Sequence, residues 1–162
     1  MTQVDISLTV NGARHELSVG PTEMLTDVLR RRLDLTGTNR DCGMGICGAC
    51  TVLLDGQPVS SCILLAAQAD GAEITTVEGL EKNGRLTAIQ EAFLRHGAVQ
   101  CGYCTPGFVI TSTALLEENP RPSREQIVEA LKGNLCRCTG YKKIVEAVES
   151  VARAKGDEVG VS

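Results

Sequence analysis

Eight cysteines in two groups of four constrain this chain of 162 residues more than any other feature of its sequence. No cysteine lies between Cys62 and Cys101, so the two groups fall in separate halves of the chain. Aromatic residues make up only 2% of the chain, and a core without bulky rings needs further support. We therefore expect the cysteines to help hold each half together. The groups are Cys42, Cys47, Cys50 and Cys62, and then Cys101, Cys104, Cys136 and Cys138.

A disulfide framework is one possible use of these cysteines, and it requires an oxidising compartment. The N-terminal segment 1–5 has neither the basic nor the apolar region of a secretory signal, so we expect a cytoplasmic protein without a disulfide framework. Structural zinc is a second use, since zinc takes four ligands from short paired motifs. The second group fits zinc on spacing alone, whereas the first group does not fit easily.

The spacing of the first group favours iron and sulfide over zinc. Its pattern of Cys-x4-Cys-x2-Cys with a later fourth cysteine is typical of plant-type ferredoxins, which bind a [2Fe–2S] cluster. Gly43, Gly45 and Gly48 lie between these cysteines, where positive φ angles let backbone amides approach the cluster sulfurs. The alternative for these glycines is a flexible surface loop.

The first half of the chain, residues 1–80, has the pattern of a small α+β domain. The pairs Asn11-Gly12 and Asp55-Gly56 each separate two short alternating segments and predict two β-hairpins. Apolar residues from Leu25 to Leu33 have helical spacing. A last strand is predicted over Glu73–Val77. This order predicts a β-grasp sheet, of the plant-type ferredoxin kind, with one helix across a face.

The second half, residues 81–162, has only helical patterns after a polar linker. It predicts an all-α domain of four helices, with Ser123 and Gln126 forming a capping box at the start of the third. We expect the tail from Gly156 to be disordered or to depend on a partner for its structure. The first helix is predicted to start after Thr87, and the second at Thr105 as N-cap, with Pro106 following and an end near Leu116. The third is predicted to start after Ser123 and to stop at Gly133, and the fourth to start at Lys142 and to end near Ala154.

An internal repeat relates the two halves of this helical domain. The pair Cys101 and Cys104 and the pair Cys136 and Cys138 each lie between two predicted helices. We therefore expect two helical hairpins with pseudo-two-fold symmetry, whose cysteine pairs meet at one second cluster. Helix N-termini next to the cysteines present free N–H groups that favour an anion, as an oxidised [2Fe–2S] centre with four thiolates is.

Three motifs together resemble the small iron–sulfur subunit of the molybdenum hydroxylases, the xanthine oxidase family. The resemblance covers roughly residues 3–155, with one departure at Asp41, where the family commonly has glycine. We expect this carboxylate to be solvated and to leave the ligands intact. The motifs are Cys42-x4-Cys47-Gly48-Ala49-Cys50, Gln100-Cys101-Gly102-Tyr103-Cys104-Thr105-Pro106-Gly107 and Asn134-Leu135-Cys136-Arg137-Cys138-Thr139-Gly140-Tyr141.

The resemblance implies two [2Fe–2S] clusters, one held by each group of four cysteines. It also implies that Gln100 hydrogen-bonds a molybdopterin (dinucleotide) cofactor on a partner and that Cys138 lies close to it. The alternative for Gln100 is that it satisfies nearby backbone. Arg137 either stabilises the reduced second cluster or faces solvent or a partner, and Tyr103 and Tyr141 are expected to pack in the core.

The same resemblance implies an electron-transfer subunit without a substrate site of its own. Its partners would be a large molybdopterin subunit and a medium FAD subunit, in a heterotrimer or a dimer of heterotrimers. A free-standing two-cluster carrier or redox sensor and a zinc-bound interaction module are the alternatives. The net charge of −4 disfavours nucleic acid as a partner, and no apolar run approaches the ~20 residues of a membrane span.

Overall fold

The computed structural model describes the backbone of residues 2–158 and the side chains up to residue 154. Within these residues a mixed sheet is followed by helices, which confirms the predicted α+β class. The strands are Val4–Val10 (β1), Ala13–Val19 (β2), Thr51–Leu54 (β3), Gln57–Ser60 (β4) and Glu73–Thr75 (β5), and the α-helices are Leu25–Arg31 (α1), Ala88–Arg95 (α2), Thr105–Glu118 (α3), Arg124–Leu131 (α4) and Lys142–Glu158 (α5).

The sheet has the strand order β2-β1-β5-β3-β4. Strand β1 pairs with β5 in parallel, and the other neighbouring pairs are antiparallel. Both predicted hairpins are present, and their turn residues have positive φ: 51° and 81° at Asn11-Gly12, and 49° and 81° at Asp55-Gly56. The last strand ends at Thr75 rather than Val77, because the chain enters a short 3-10 turn there.

Two hydrophobic cores meet at β3. Because side chains alternate along a strand, Val52 faces the core between the sheet and α1, while Leu53 packs with Phe108 and Ile110 of α3. The second core is otherwise built from α2, α4 and α5 around α3. The sheet is therefore covered by α1 on one face and, at β3, by the helical half on the other.

Three of the predicted helix boundaries are wrong, two at α3 and one at α5. Helix α3 has Cys104 as its N-cap, not Thr105, and it ends at Glu118 rather than near Leu116. The reason is that Gly102 has a φ of 85° and its carbonyl already accepts from the Thr105 N–H, so the helix begins one residue earlier. Helix α5 continues through Gly156 to Glu158, where a disordered or partner-dependent tail was expected. The rest of that expected tail, residues 159–162, lies outside the described residues.

The capping box predicted for α4 is present. The Gln126 N–H donates to Ser123 Oγ at 3.3 Å, and the Ser123 N–H donates to Gln126 Oε1 at 2.8 Å. Across residues 2–158, none of the helices combines the length and the apolar character needed to cross a membrane.

Candidate metal centres

The first four cysteines meet at one end of the sheet. The thiols of Cys42 and Cys47 lie close enough to influence the pKa of Cys42, and the Cys50 thiol in the same way influences that of Cys62. Ser61 brings the distant Cys62 to the loop, because its hydroxyl donates to the Cys50 carbonyl at 2.7 Å. Cys42 is half-buried and the other three are buried. These four thiols form two contacting pairs.

Backbone amides surround the Cys42 sulfur. The Met44 N–H donates to Cys42 Sγ at 3.4 Å and the Cys47 N–H at 3.5 Å. Together with the Ile46 amide they lower the pKa of Cys42 to about 6. Burial, with a smaller effect of the Cys50 thiol, raises the pKa of Cys62 to about 11. The loop thus already stabilises negative charge on sulfur at its outer edge, as a thiolate-bound cluster requires.

The three loop glycines have the positive φ that their position suggests: 65° at Gly43, 71° at Gly45 and 70° at Gly48. Two of them also permit close approach. A Cβ on Gly45 would lie 2.6 Å from Ile63 Cδ1, and one on Gly48 would lie 2.4 Å from Asn134 Nδ2. Gly43 is less crowded, with its nearest neighbouring atom at 4.0 Å.

The second four cysteines also meet in pairs. Cys101 Sγ lies 3.6 Å from Cys138 Sγ, and the Cys136 thiol lies close enough to Cys104 to influence its pKa. Burial, with a smaller effect of the Cys136 thiol, raises the pKa of Cys104 to about 12. Burial also acts to raise the pKa of Cys136, but bonds from the Thr139 hydroxyl at 3.1 Å and amide at 3.4 Å outweigh it and lower that pKa.

The pairing of the thiols can be compared with the ligand arrangements that zinc and iron–sulfur centres require. A structural zinc ion needs four ligands around one point. In the described part of the chain, no three His, Cys, Asp or Glu side chains are arranged around one ion. A [2Fe–2S] cluster instead has two iron atoms that share four thiolates, so two separate pairs are what it needs. The residues present therefore fit that cluster at both centres.

The two centres differ in exposure. Cys101 and Cys138 are exposed, whereas only Cys42 of the first four is not fully buried. The repeat is also imperfect, since Cys104 is the N-cap of α3 but Cys138 is separated from α5 by residues 139–141. A helix N-terminus is thus adjacent to only one of the two cysteine pairs.

The residues predicted beside the centres lie at the surface. Gln100 is exposed and makes no hydrogen bond within the described residues, so the alternative that it satisfies nearby backbone is not supported. Asp41 is exposed, as expected of a solvated carboxylate, and Arg137 is exposed as well.

Core packing was the wrong prediction for the two tyrosines. Tyr103 is 46% exposed and Tyr141 is 39% exposed. The Tyr103 hydroxyl donates to the Arg40 carbonyl at 2.7 Å, and the Tyr141 hydroxyl accepts from the Cys136 N–H at 3.0 Å. Each tyrosine therefore braces a cysteine loop, and the ring of Tyr141 touches Phe108 edge-on.

A contact between the two cysteine loops was not predicted from the sequence. Asn134 Nδ2 donates to the Gly48 carbonyl at 3.1 Å, and the Leu135 N–H donates to the Cys47 carbonyl at 2.9 Å. Asn134 is only 4% exposed. The only sequence signal for this contact is the position of Asn134, a polar residue between the end of a helix and a cysteine pair.

Comparisons with known proteins agree with this arrangement. The family model described as the 2Fe-2S iron-sulfur cluster binding domain matches residues 8–87, and the one described as the [2Fe-2S] binding domain matches residues 76–149. The chain is 52% identical to the nicotine 6-hydroxylase small subunit of Paenarthrobacter nicotinovorans, over 98% of this chain and 95% of that protein. It is 48% identical to the nicotinate dehydrogenase small FeS subunit of Eubacterium barkeri, over 91% and 94%.

Solved structures give the same result. Quinoline 2-oxidoreductase from Pseudomonas putida 86 matches with a TM-score of 0.91 and 47% identity, over 96% of this chain and 97% of that one. The aldehyde oxidoreductase from Desulfovibrio desulfuricans matches with a TM-score of 0.90 and 46% identity, over 95% of this chain but 17% of that one. Two [2Fe–2S] binding domains support two clusters and an electron-transfer role in an oxidoreductase complex. The chain belongs to the small iron–sulfur subunits of the molybdenum hydroxylases, the xanthine oxidase family.

Proposed function

We propose that this chain relays electrons one at a time between a molybdopterin centre and FAD, in a molybdenum-containing hydroxylase or dehydrogenase. The observation that carries the proposal is the presence of two sets of paired thiols whose loops are in direct contact. Each [2Fe–2S] cluster, when bound, accepts one electron. Such a chain divides the two electrons of a substrate oxidation into single steps.

The proposed ligand sets follow the contacting pairs. Cys42 with Cys47 and Cys50 with Cys62 would hold the first cluster. Cys101 with Cys138 and Cys104 with Cys136 would hold the second in the same way. We assign the first cluster to a β-grasp ferredoxin domain of residues 1–80 and the second to a helical domain of residues 81–162, with approximate two-fold symmetry between its hairpins.

The exposed edge of the second centre supports a cofactor contact there. Cys101 and Cys138 are exposed, and Gln100, which precedes them, is exposed without a hydrogen-bond partner in the described residues. An amide offers both donors and an acceptor, which suits the edge of a pterin. Gln100 and Cys138 are therefore the proposed contacts of the molybdopterin (dinucleotide) of a large subunit.

The proposed complex is cytoplasmic and contains a large molybdopterin subunit and a medium FAD subunit, as a heterotrimer or a dimer of heterotrimers. The relatives named as small subunits, from nicotine 6-hydroxylase and nicotinate dehydrogenase, support the presence of further chains. The substrate site belongs to the large subunit.

Purification of the tagged chain from its own cells tests the proposal. We expect about four iron and four acid-labile sulfide per chain, together with partner chains that carry flavin and molybdenum. Zinc without sulfide would contradict the cluster assignment and support an interaction module. Two clusters in a chain that purifies alone, with neither flavin nor molybdenum, would support a free-standing carrier or redox sensor.

A pair of glutamine variants tests the cofactor contact. Gln100→Ala should retain both clusters but recover less molybdenum with the tagged chain. Gln57→Ala is the matched control, because Gln57 is exposed on β4, far along the sequence from the second centre. Equal molybdenum recovery from both variants would contradict the role of Gln100.

A further inference from the structure

The loops of the two cysteine sets lie so close together that a Cβ atom would not fit at some positions between them. A Cβ on Gly107 would lie 2.1 Å from the Gly48 carbonyl oxygen, and a Cβ on Gly48 would lie 2.5 Å from the Gly133 carbonyl oxygen. Asn134 closes the contact, because its buried Nδ2 donates to the Gly48 carbonyl at 3.1 Å. We call Gly48, Gly107 and Asn134 the inter-loop contact.

The inter-loop contact aligns a backbone hydrogen bond between the two sets. The Leu135 N–H donates to the Cys47 carbonyl at 2.9 Å. Cys47 belongs to the first set, and Leu135 is bonded directly to Cys136 of the second. A bonded path therefore runs from Cys47 Sγ through its own carbonyl, across one hydrogen bond, and along the backbone of Leu135 to Cys136 Sγ.

A second pair of hydrogen bonds fixes the orientation of the loops. Asn39 Nδ2 donates to the Tyr103 carbonyl at 2.9 Å, and the Tyr103 hydroxyl donates to the Arg40 carbonyl at 2.7 Å. Residues 39–40 lead into Cys42, and Tyr103 lies between Cys101 and Cys104. The loops are thus joined at two places, and they cannot rotate about the inter-loop contact alone.

We propose that the inter-loop contact sets the separation of the two clusters and that electron exchange between them passes through the Cys47–Leu135 hydrogen bond. This inference rests on the proposed function. In the exchange one electron leaves the reduced cluster of one set and reaches the oxidised cluster of the other, and no bond or proton is transferred. Gly48, Gly107 and Asn134 act as positioning residues, since electron transfer weakens steeply when a bonded path is replaced by a gap.

Two glycine-to-alanine variants of the full, cluster-loaded chain test the inference. In Gly107→Ala the new methyl group must push Gly48 away, although alanine itself favours the helix in which residue 107 lies. Gly133→Ala is the matched control, because a Cβ there meets nothing within 4 Å and the residue does not have positive φ. Both variants leave all eight cysteines in place.

The first readout is low-temperature electron paramagnetic resonance of the fully reduced protein. The magnetic interaction of two reduced clusters falls with the cube of their distance, so Gly107→Ala should weaken it while Gly133→Ala matches the unmodified chain. The second readout is hydrogen exchange at the Leu135 amide, which should be about tenfold faster in Gly107→Ala, as expected for the loss of one buried hydrogen bond.

If Gly107→Ala fails to retain a cluster, the same two measurements are made on Asn134→Ala. Asn134→Ala removes a side-chain donor without adding bulk. An unchanged magnetic interaction in the variants, or an unprotected Leu135 amide in the unmodified chain, would overturn the inference. Absence of two iron–sulfur clusters from the unmodified chain would instead overturn the proposed function, so the two failures are distinguishable.

Discussion

Replacement of Leu53 by alanine should destabilise both halves of the molecule, although Leu53 lies on a strand of the sheet. Its side chain is 5% exposed and packs in the core of the helical half. The change removes three buried carbons, which is worth about 2.5 kcal/mol in transfer free energy. The cavity left behind brings the expected loss in the free energy of unfolding to between about 2.5 and 5 kcal/mol.

Hydrogen exchange on the cluster-loaded chain measures this effect by region. A loss of about 2.5 kcal/mol corresponds to about 60-fold faster exchange for amides that open with the damaged core. We expect this acceleration at Phe108 and Ile110 of α3 as well as in β3. Val52→Ala is the control, because Val52 faces the other core and should affect β1 and α1 most. Acceleration confined to the sheet in Leu53→Ala would refute the argument that β3 joins the two cores.

Three further predictions concern the centres themselves. Cys138→Ser should remove the second cluster and leave the first, so that iron falls from about four to about two per chain with one paramagnetic signal retained. Loss of both signals would contradict separate assembly. Thr139→Val should lower the reduction potential of the second cluster only, because it removes the hydroxyl that donates to Cys136 Sγ at 3.1 Å, and a redox titration that shows no change would contradict this role. After removal of iron by a chelator, alkylation of Cys42 should rise with pH around its lowered pKa of about 6, well below the pH at which an ordinary thiol reacts, and a midpoint near 8.5 would argue against the amide arrangement.

Local signals in the sequence predicted most of the fold. Asn11-Gly12 and Asp55-Gly56 define both hairpins because few residues adopt positive φ at two successive positions. The capping box at Ser123 gave the start of α4 correctly for a similarly local reason. The start of α3 was off by one residue, since the turn at Gly102 competes with the Thr-Pro signal that usually marks a helix start.

Contacts between the two halves of the chain were not predictable from local sequence signals. Asn134 and Gly48 are 86 residues apart, and the position of the polar Asn134 beside a cysteine pair does not identify Gly48 as its partner. Tyr103 was predicted to pack in the core, but its hydroxyl bonds instead to the Arg40 backbone 63 residues away. The apolar run of β3 did carry a usable signal, because a strand with consecutive apolar residues indicates burial on both faces.

The unequal exposure of the two cysteine sets has a consequence for a chain that is made without its partners. Dissolved oxygen and chelating molecules can reach Cys101 and Cys138 directly, whereas Cys47, Cys50 and Cys62 are shielded. An orphan subunit should therefore lose its iron from the helical end first and keep the ferredoxin-like end longer. In the proposed complex a partner covers the edge at Cys101 and Cys138, and such docking would prevent that decay.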